Sequence, residues 1–268
     1  MLNKLRSYQQ AVLERGRQRV RQGLSRGIIQ SPTGGGKTYI EAALAWLGHN
    51  RGARWLILAD RRRLISQIGN TLEVFNVPYG VVMAGETCGT RENIILASRD
   101  TLHSWHENGK DLPPFDGIVI DECHKSMGNT YQEILARWPK ACVLGFTATP
   151  ARNDGKSLGD FYQWLECTVP PSQLVREGFL IKPEVYAPME LARQRKQGMG
   201  SGCVGNPVTQ WLERANGMPT IAFSSRVTES LELCERFNNH GIAAEHVDAS
   251  FNDEQREEMF ARLKNGDT

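Results

Sequence analysis

Nowhere in the 268 residues is there an apolar run long enough to cross a bilayer, nor a basic-then-apolar leader at the amino terminus. A membrane-spanning or exported protein is therefore not expected, and the location is read as cytoplasmic. Cysteine is scarce and scattered: Cys88, Cys123, Cys142, Cys167, Cys203 and Cys234 show none of the paired spacing that makes a zinc site or a disulfide scaffold. Most are expected to be small buried hydrophobes in a reducing compartment. Only 12 residues are proline and 23% are charged, against 40% hydrophobic, a balance that excludes long disorder. The chain can bury one large core or two modest ones. A large net charge is also lacking, since the formal total is +2, but from Met1 to Arg63 thirteen Lys and Arg face three Asp and Glu. That local excess suits an anionic polymer, and it equally suits a solvated Arg-rich surface.

What is present is a sequence of apolar runs with chemistry at their ends. Gly27-Ile28-Ile29-Gln30 reads as a strand, followed by the loop Ser31-Pro32-Thr33-Gly34-Gly35-Gly36 and a helix from about Lys37 to Leu47. Ile40, Ala43, Leu44 and Leu47 give that helix its apolar face. Trp55–Ala59, Asn93–Ala97, Gly117–Ile120 and Cys142–Phe146 are nearly continuous apolar runs, as expected of strands covered by helices on both faces. The predicted fold is α/β with a parallel sheet and ligands at the carboxyl ends of its strands. Cys167 to Leu180 reads as a crossover, with a short helix beginning near Ser172. Arg193–Gly202 reads as a mobile loop. Beyond it the pattern predicts strands at Thr220–Ser224 and Ala243–Val247, and helices at Val227–Asn238 and Asp253–Leu263. Trp105, Trp138 and Trp164 are expected to pack in the core instead of stacking on bases.

The loop before Lys37 has the composition of a phosphate cradle. Three glycines permit close backbone approach, so that amides from Gly34 to Lys37 converge on a phosphate. Lys37 is then placed to neutralise β- and γ-phosphates, and Thr38 to offer a hydroxyl to Mg²⁺ at the start of the helix. Ser31 stands where the strict form of this loop has its first glycine. Asp121 and Glu122 follow Lys37 by 84 and 85 positions and end the run Gly117–Ile120. Asp121 is assigned the Mg²⁺ contact and Glu122 the activation of water. Mg²⁺-assisted hydrolysis of a nucleoside triphosphate is the expected chemistry.

With those residues in order, the chain resembles the superfamily 2 helicases and translocases, in which two RecA-like domains close around ATP. Leu5-Arg6-Ser7-Tyr8-Gln9 resembles the adenine-side motif, implying that Gln9 reads the base. Ser31 to Thr38, including Thr33, matches motif I, and Asp121-Glu122-Cys123-His124 matches motif II in its Asp-Glu-x-His form. Thr147-Ala148-Thr149 matches motif III, which implies that Thr147 and Thr149 link nucleotide state to nucleic acid. Leu58–Leu64 resembles motif Ia and Ala97–Leu102 motif Ib, implying phosphate contacts from Arg62, Ser98 and Thr101; Ile221–Arg226 resembles motif IV, implying the same of Ser224 and Arg226. The combination is similar to the DNA-directed branch that holds restriction subunits, excision-repair proteins and RadD-like proteins. DNA with a single-stranded tract is the expected partner, ahead of RNA.

The resemblance implies a RecA-like P-loop domain over 1–168, a linker over 169–181 and the amino-terminal part of a second RecA-like domain over 182–268. Motifs V and VI of the family are not among these residues, so a missing carboxyl-terminal segment or a companion chain is expected to supply them. The expected function is an ATP-dependent DNA helicase or translocase. The alternative is a nucleotide-dependent DNA-binding switch, or an ATPase fragment without autonomous helicase activity.

Overall fold

The computed structural model describes residues 2–110, 112–151, 155, 157–186 and 206–267; the loop expected at Arg193–Gly202, and Cys203, lie outside them. The chain divides into two compact units, Met1–Pro183 and Glu184–Thr268.

The first unit is built on a sheet of eight strands: β1 (Arg26–Gln30), β2 (Trp55–Ala59), β3 (Gly80–Met83), β4 (Glu86–Cys88), β5 (Ile94–Ser98), β6 (Gly117–Asp121), β7 (Cys142–Thr147) and β8 (Trp164–Cys167). Their spatial order is β4-β3-β5-β2-β6-β7-β1-β8. Every pairing is parallel except β3 with β4, so the sheet is mixed and mostly parallel, not wholly parallel as the sequence pattern suggested. The exception follows from the two-residue turn Ala84-Gly85, which can only reverse the chain.

Helices α1 (Ser7–Arg21), α2 (Lys37–His49), α3 (Arg62–Val74), α4 (Arg99–Glu107), α5 (Asn129–Ala136) and α6 (Pro171–Arg176) complete this unit. Strand residues alternate between its two faces. Ile29, Ile57, Leu96, Val119 and Phe146 pack with Val12, Ile40, Ile68 and Leu72 of α1 to α3. Ile28, Leu56, Leu58, Ile118 and Ile120 pack with Leu102, Tyr131 and Ile134 of α4 and α5. Burying both faces explains the uninterrupted apolar runs, each large side chain contributing roughly 1.5–3 kcal/mol. Trp138 and Trp164 are buried and Trp105 packs against the second cluster, as expected. The Trp164 ring lies over Gly27, where an added Cβ would fall 2.0 Å from it. Among the described cysteines only Cys123 is fully buried, and Cys88 and Cys167 are exposed, against expectation.

The arginines of α1 are largely neutralised within the fold. Arg15 and Arg19 pair with Glu166 at 2.8 and 3.0 Å, and Arg17 and Arg21 pair with Glu14 at 3.2 and 3.4 Å. This part of the basic excess is a solvated structural surface.

The second unit contains α7 (Pro207–Arg214), α8 (Val227–Asn239) and α9 (Asp253–Asn265). Local signals account for them. Asn206 caps α7 by accepting from the Val208 amide at 3.0 Å. Asn252 and Gln255 form a reciprocal cap on α9, which ends at Gly266 in a left-handed conformation. The strands expected at Thr220–Ser224 and Ala243–Val247 are not formed: among the described residues neither segment has a ladder partner. A strand is defined by its neighbour, and these segments line an apolar cavity of about 370 Å³ with Trp211, Phe237 and Leu263 instead. A second RecA-like domain is therefore not established by the structure.

Candidate functional site

The parallel register brings the carboxyl ends of five strands to one edge of the first unit. Gln30 pairs with Thr147, Phe146 with Asp121, Ile120 with Leu58, and Ala59 with Ser98. Motifs separated by up to 117 positions, from Gln30 to Thr147, become neighbours through sheet order alone.

Lys37 opens α2 at this edge. Its Nζ lies 2.6 Å from Asp121 Oδ1 and 2.5 Å from Glu122 Oε1. Burial by itself pulls the Lys37 ammonium down, but Asp121 and Glu122 hold it well above its ordinary range. Lys37 is thus a cation through neutral pH. Asp121 is buried, and its Oδ1 also accepts from the Glu122 amide at 2.9 Å. Glu122 adopts a left-handed backbone, with φ of 52°, which turns its side chain back toward Lys37. Its other oxygen lies 3.3 Å from His124 Nδ1 and 3.5 Å from Thr147 Oγ1. His124 Nδ1 is 3.1 Å from Thr147 Oγ1, and that hydroxyl also accepts from the Thr149 amide at 3.1 Å. Lys37, Asp121, Glu122 and Thr147 therefore form one connected cluster, to which Thr149 is joined through its backbone.

The glycine loop is tied to the same cluster. The Ser31 amide donates to the Thr147 carbonyl at 3.1 Å, and Gln30 Nε2 donates to the Ala148 carbonyl at 3.3 Å. Gly34 and Gly36 have φ of 78° and 73°, a region where an L side chain is strained. At Gly35 an added Cβ would lie 2.6 Å from Ser31 Oγ and 2.9 Å from the Pro32 carbonyl. Thr33 is exposed at the tip of the loop and Thr38 is half-buried in the first turn of α2. Ser31 Oγ is buried without a hydrogen-bond partner among the described residues.

Gln9 packs behind the loop. Its Nε2 donates to the carbonyls of Gly35 and Gly36 at 3.1 and 3.2 Å, and its Oε1 accepts from the Arg6 amide at 2.8 Å. The Tyr8 hydroxyl also donates to the Gly35 carbonyl at 3.1 Å, while the Arg6 guanidinium stacks 3.6 Å from the centre of the Phe179 ring. In this arrangement Gln9 clamps the loop's backbone.

Sequence reading missed Glu41. It lies one helical turn beyond Lys37, fully buried, and neither carboxyl oxygen has a partner among the described residues. Burial, followed by the nearby Asp121 charge, pushes its carboxyl well above the ordinary carboxylate range despite Lys37. An acid among apolar helix positions was the only available signal.

Arg62, Ser98 and Thr101 lie at the carboxyl-end edge, at the starts of α3 and α4. Arg62 donates to the Ala84 carbonyl, while Arg61 and Arg63 are exposed with no ion pair among the described residues. Ser224 and Arg226 belong to the second unit and are exposed; Arg226 lies 4.0 Å from Glu229. Among the described residues no helix is long and apolar enough to cross a membrane.

Comparison with known proteins agrees with this geometry. The family model described as "Type III restriction enzyme, res subunit" matches residues 2–152. A "51.5 kDa protein" of a Lactococcus phage (isolate 7-9) is 27% identical over 252 residues, covering 89% of this chain and 52% of the phage protein. The Type I restriction enzyme EcoAI endonuclease subunit of Escherichia coli is 33% identical over 170 residues, covering 59% of this chain and 21% of that subunit. The chain thus spans about half the length of the phage relative and less of the subunit. Among solved structures, the ATP-dependent Type ISP restriction-modification enzyme LlaBIII bound to DNA matches the fold with a TM-score of 0.67, at 18% identity, over 97% of this chain and 23% of that one. Glycine loop, acidic strand tip and family match converge: the chain belongs to the Type III restriction enzyme res-subunit family, in the restriction-enzyme and helicase branch of the DEAD/DEAH-like superfamily 2 helicases.

Proposed function

We propose that this chain is the ATP-hydrolysing part of a DNA helicase or translocase. The observation that carries this reading is the Lys37 ammonium held between Asp121 and Glu122, beside a glycine loop bonded to Thr147.

The residues fit ATP and Mg²⁺. A partnerless buried hydroxyl at Ser31, positive φ at Gly34 and Gly36, the buried Asp121 carboxylate and a threonine in the first turn of α2 are the donor set that a metal-bound polyphosphate needs. Thr38 and Asp121 would hold Mg²⁺, which when bound screens the phosphate oxygens. Lys37 exchanges a carboxylate for phosphate and stabilises the charge that develops during transfer. Glu122, steadied by His124 and Thr147, orients the attacking water. Thr33 and the glycines line the phosphates. Gln9 sets the shape of their cradle, and base reading by Gln9 requires its amide to leave the loop carbonyls.

DNA is the favoured polymer. The family's name and a DNA-bound structural neighbour support it, and the exposed Arg61-Arg62-Arg63 turn with Ser98 and Thr101 supplies phosphate-binding chemistry on the first unit. We assign 1–168 as the ATP-binding domain, 169–181 as the linker and 182–268 as the start of a second RecA-like domain, with Ser224 and Arg226 as its backbone contacts. Phosphate release should be measured with and without single-stranded DNA. Wild type should hydrolyse ATP faster with DNA, and Lys37→Ala should lower the rate by roughly 10²–10³-fold, as for loss of a preorganised charge-stabilising group. Activity unaffected by that substitution would sink the assignment.

A further inference from the structure

Asp60 follows β2 directly and precedes the Arg61-Arg62-Arg63 turn, and its side chain is only 12% exposed. Three other segments converge on it. Lys125 Nζ donates to Asp60 Oδ2 at 2.7 Å, the Tyr131 hydroxyl donates to Oδ1, and Arg99 Nη1 lies 3.7 Å from Oδ1. The Arg99 guanidinium also stands 5.5 Å from the centre of the Tyr131 ring. Arg99 is the first residue of α4, between Ser98 and Thr101. Lys125 ends the 3-10 turn Cys123–Lys125, whose first residue follows Glu122. One carboxylate therefore joins the turn behind the acidic strand tip to both segments that carry the first unit's phosphate-binding candidates.

That turn is closed by its own backbone hydrogen bonds. The Lys125 amide donates to the Glu122 carbonyl at 3.1 Å and the Ser126 amide to the Cys123 carbonyl at 2.9 Å. His124, inside it, touches both Glu122 and Thr147. Phosphate arriving at Lys37 would compete with Glu122 for the ammonium, and the hydrogen bond between Glu122 and Lys125 ties that carboxylate's backbone to the residue that holds Asp60. Stability alone is a poor reason for a nearly buried carboxylate paired with half-exposed cations, because such pairs contribute little net. Burial works against the Asp60 charge, yet the bonds from Lys125 and Tyr131 hold its carboxyl below the ordinary range, so the link is ionic at neutral pH.

We propose that Asp60 is a positioning residue that couples nucleotide binding at Lys37 to strand binding by Arg62, Ser98 and Thr101. This rests on the proposed function and adds the route by which one site senses the other. Coupling of this kind is reciprocal: nucleotide must change DNA affinity by the same factor as DNA changes nucleotide affinity.

The test uses the 268-residue chain, a labelled oligothymidylate and a fluorescent, non-hydrolysable ATP analogue with Mg²⁺. Each affinity is measured with and without a saturating amount of the other ligand. In wild type the ratio should be on the order of fivefold or more. In Asp60→Ala it should fall below about twofold while each affinity alone stays within about twofold of wild type. Lys125→Met, a milder change at a half-exposed side chain, should do the same, and the double variant should add little. A wild-type ratio retained in both variants overturns the proposal and leaves the ATPase reading standing. Loss of both separate affinities together with a lower melting temperature in both variants makes Asp60 a fold residue and also overturns it. A wild type that binds each ligand without mutual effect removes the coupling, whereas one that binds neither removes the proposed function itself.

Discussion

The two units carry the same local patterns of apolar run and amphipathic helix, yet among the described residues those runs form a sheet in the first unit alone. In Met1–Pro183 each central strand has neighbours on both sides and helices on both faces, and Ile57, Leu58, Ile95 and Ile120 are shut from solvent. In Glu184–Thr268, α8 and α9 contain no fully buried residue, Phe223 is 94% exposed and Ile221 57%. Helices there stand on caps and local hydrogen bonds, which need no distant partner. Strands cannot, because their hydrogen bonds belong to another segment. The difference teaches that the Lys37, Asp121 and Glu122 cluster stands where the central strands are paired on both sides, and that an apolar run without a neighbour does not become a strand.

The comparison can be broken most directly by amide exchange. Amides of β1, β2, β6 and β7 should exchange on the order of 10³-fold more slowly than those of Thr220–Ser224 and Ala243–Val247, because core strands open only globally. Equal protection would show that the second unit has its own closed sheet. Next, Leu58→Ala should cost about 2–5 kcal/mol in denaturant unfolding. Leu231→Ala, on a half-exposed face of α8, should stay within about 0.5 kcal/mol, as for surface positions.

Glu41→Leu sharpens the contrast inside the closed unit by removing a partnerless buried acid. It should stabilise by about 1–3 kcal/mol, or roughly 2–4 °C in melting temperature per kcal/mol for a unit of this size. The sign with pH follows from the raised carboxyl: the folded state favours the proton, so wild-type stability is greatest below the ordinary carboxylate range and declines as pH rises toward the folded value. The gain from Glu41→Leu should therefore be larger at pH 8 than at pH 4.5 in parallel thermal melts. A small effect is expected at Glu166, whose carboxyl is opposed by burial but held below its ordinary range by Arg15 and Arg19. Glu166→Gln should cost about 0.2–1 kcal/mol at pH 7, as for ion pairs at a surface. That cost should vanish as pH falls through the lowered carboxyl value, and shrink in high salt.

Much of this was written in the chain. Trp55–Ala59, Gly117–Ile120 and Cys142–Phe146 were legible as strands because burial on both faces leaves an unbroken apolar run. Gly80–Met83 and Glu86–Cys88 were not, since each is short and the latter is wholly exposed, and Trp164–Cys167 alternates at the sheet's edge. The glycine loop and the Asp121-Glu122 pair stood out because close phosphate approach and metal chemistry demand particular residue types. The Gln9 clamp, the buried Glu41 and the Asp60 junction did not, because each depends on how segments distant in sequence pack together. Strand order is set by long-range pairing, which no local pattern encodes.

Gly36 decides which inactive control an experimenter can trust. Its left-handed backbone strains any L side chain, and the Gln9 amide nitrogen, 2.4 Å from where a methyl would sit, would have to leave the loop carbonyls. A glycine substitution there would distort the chain and remove catalysis together, confounding any null result. Trimming the Lys37 side chain pushes on nothing but leaves Asp121 and Glu122 without their shared cation, so that control is trusted once its melting temperature matches wild type.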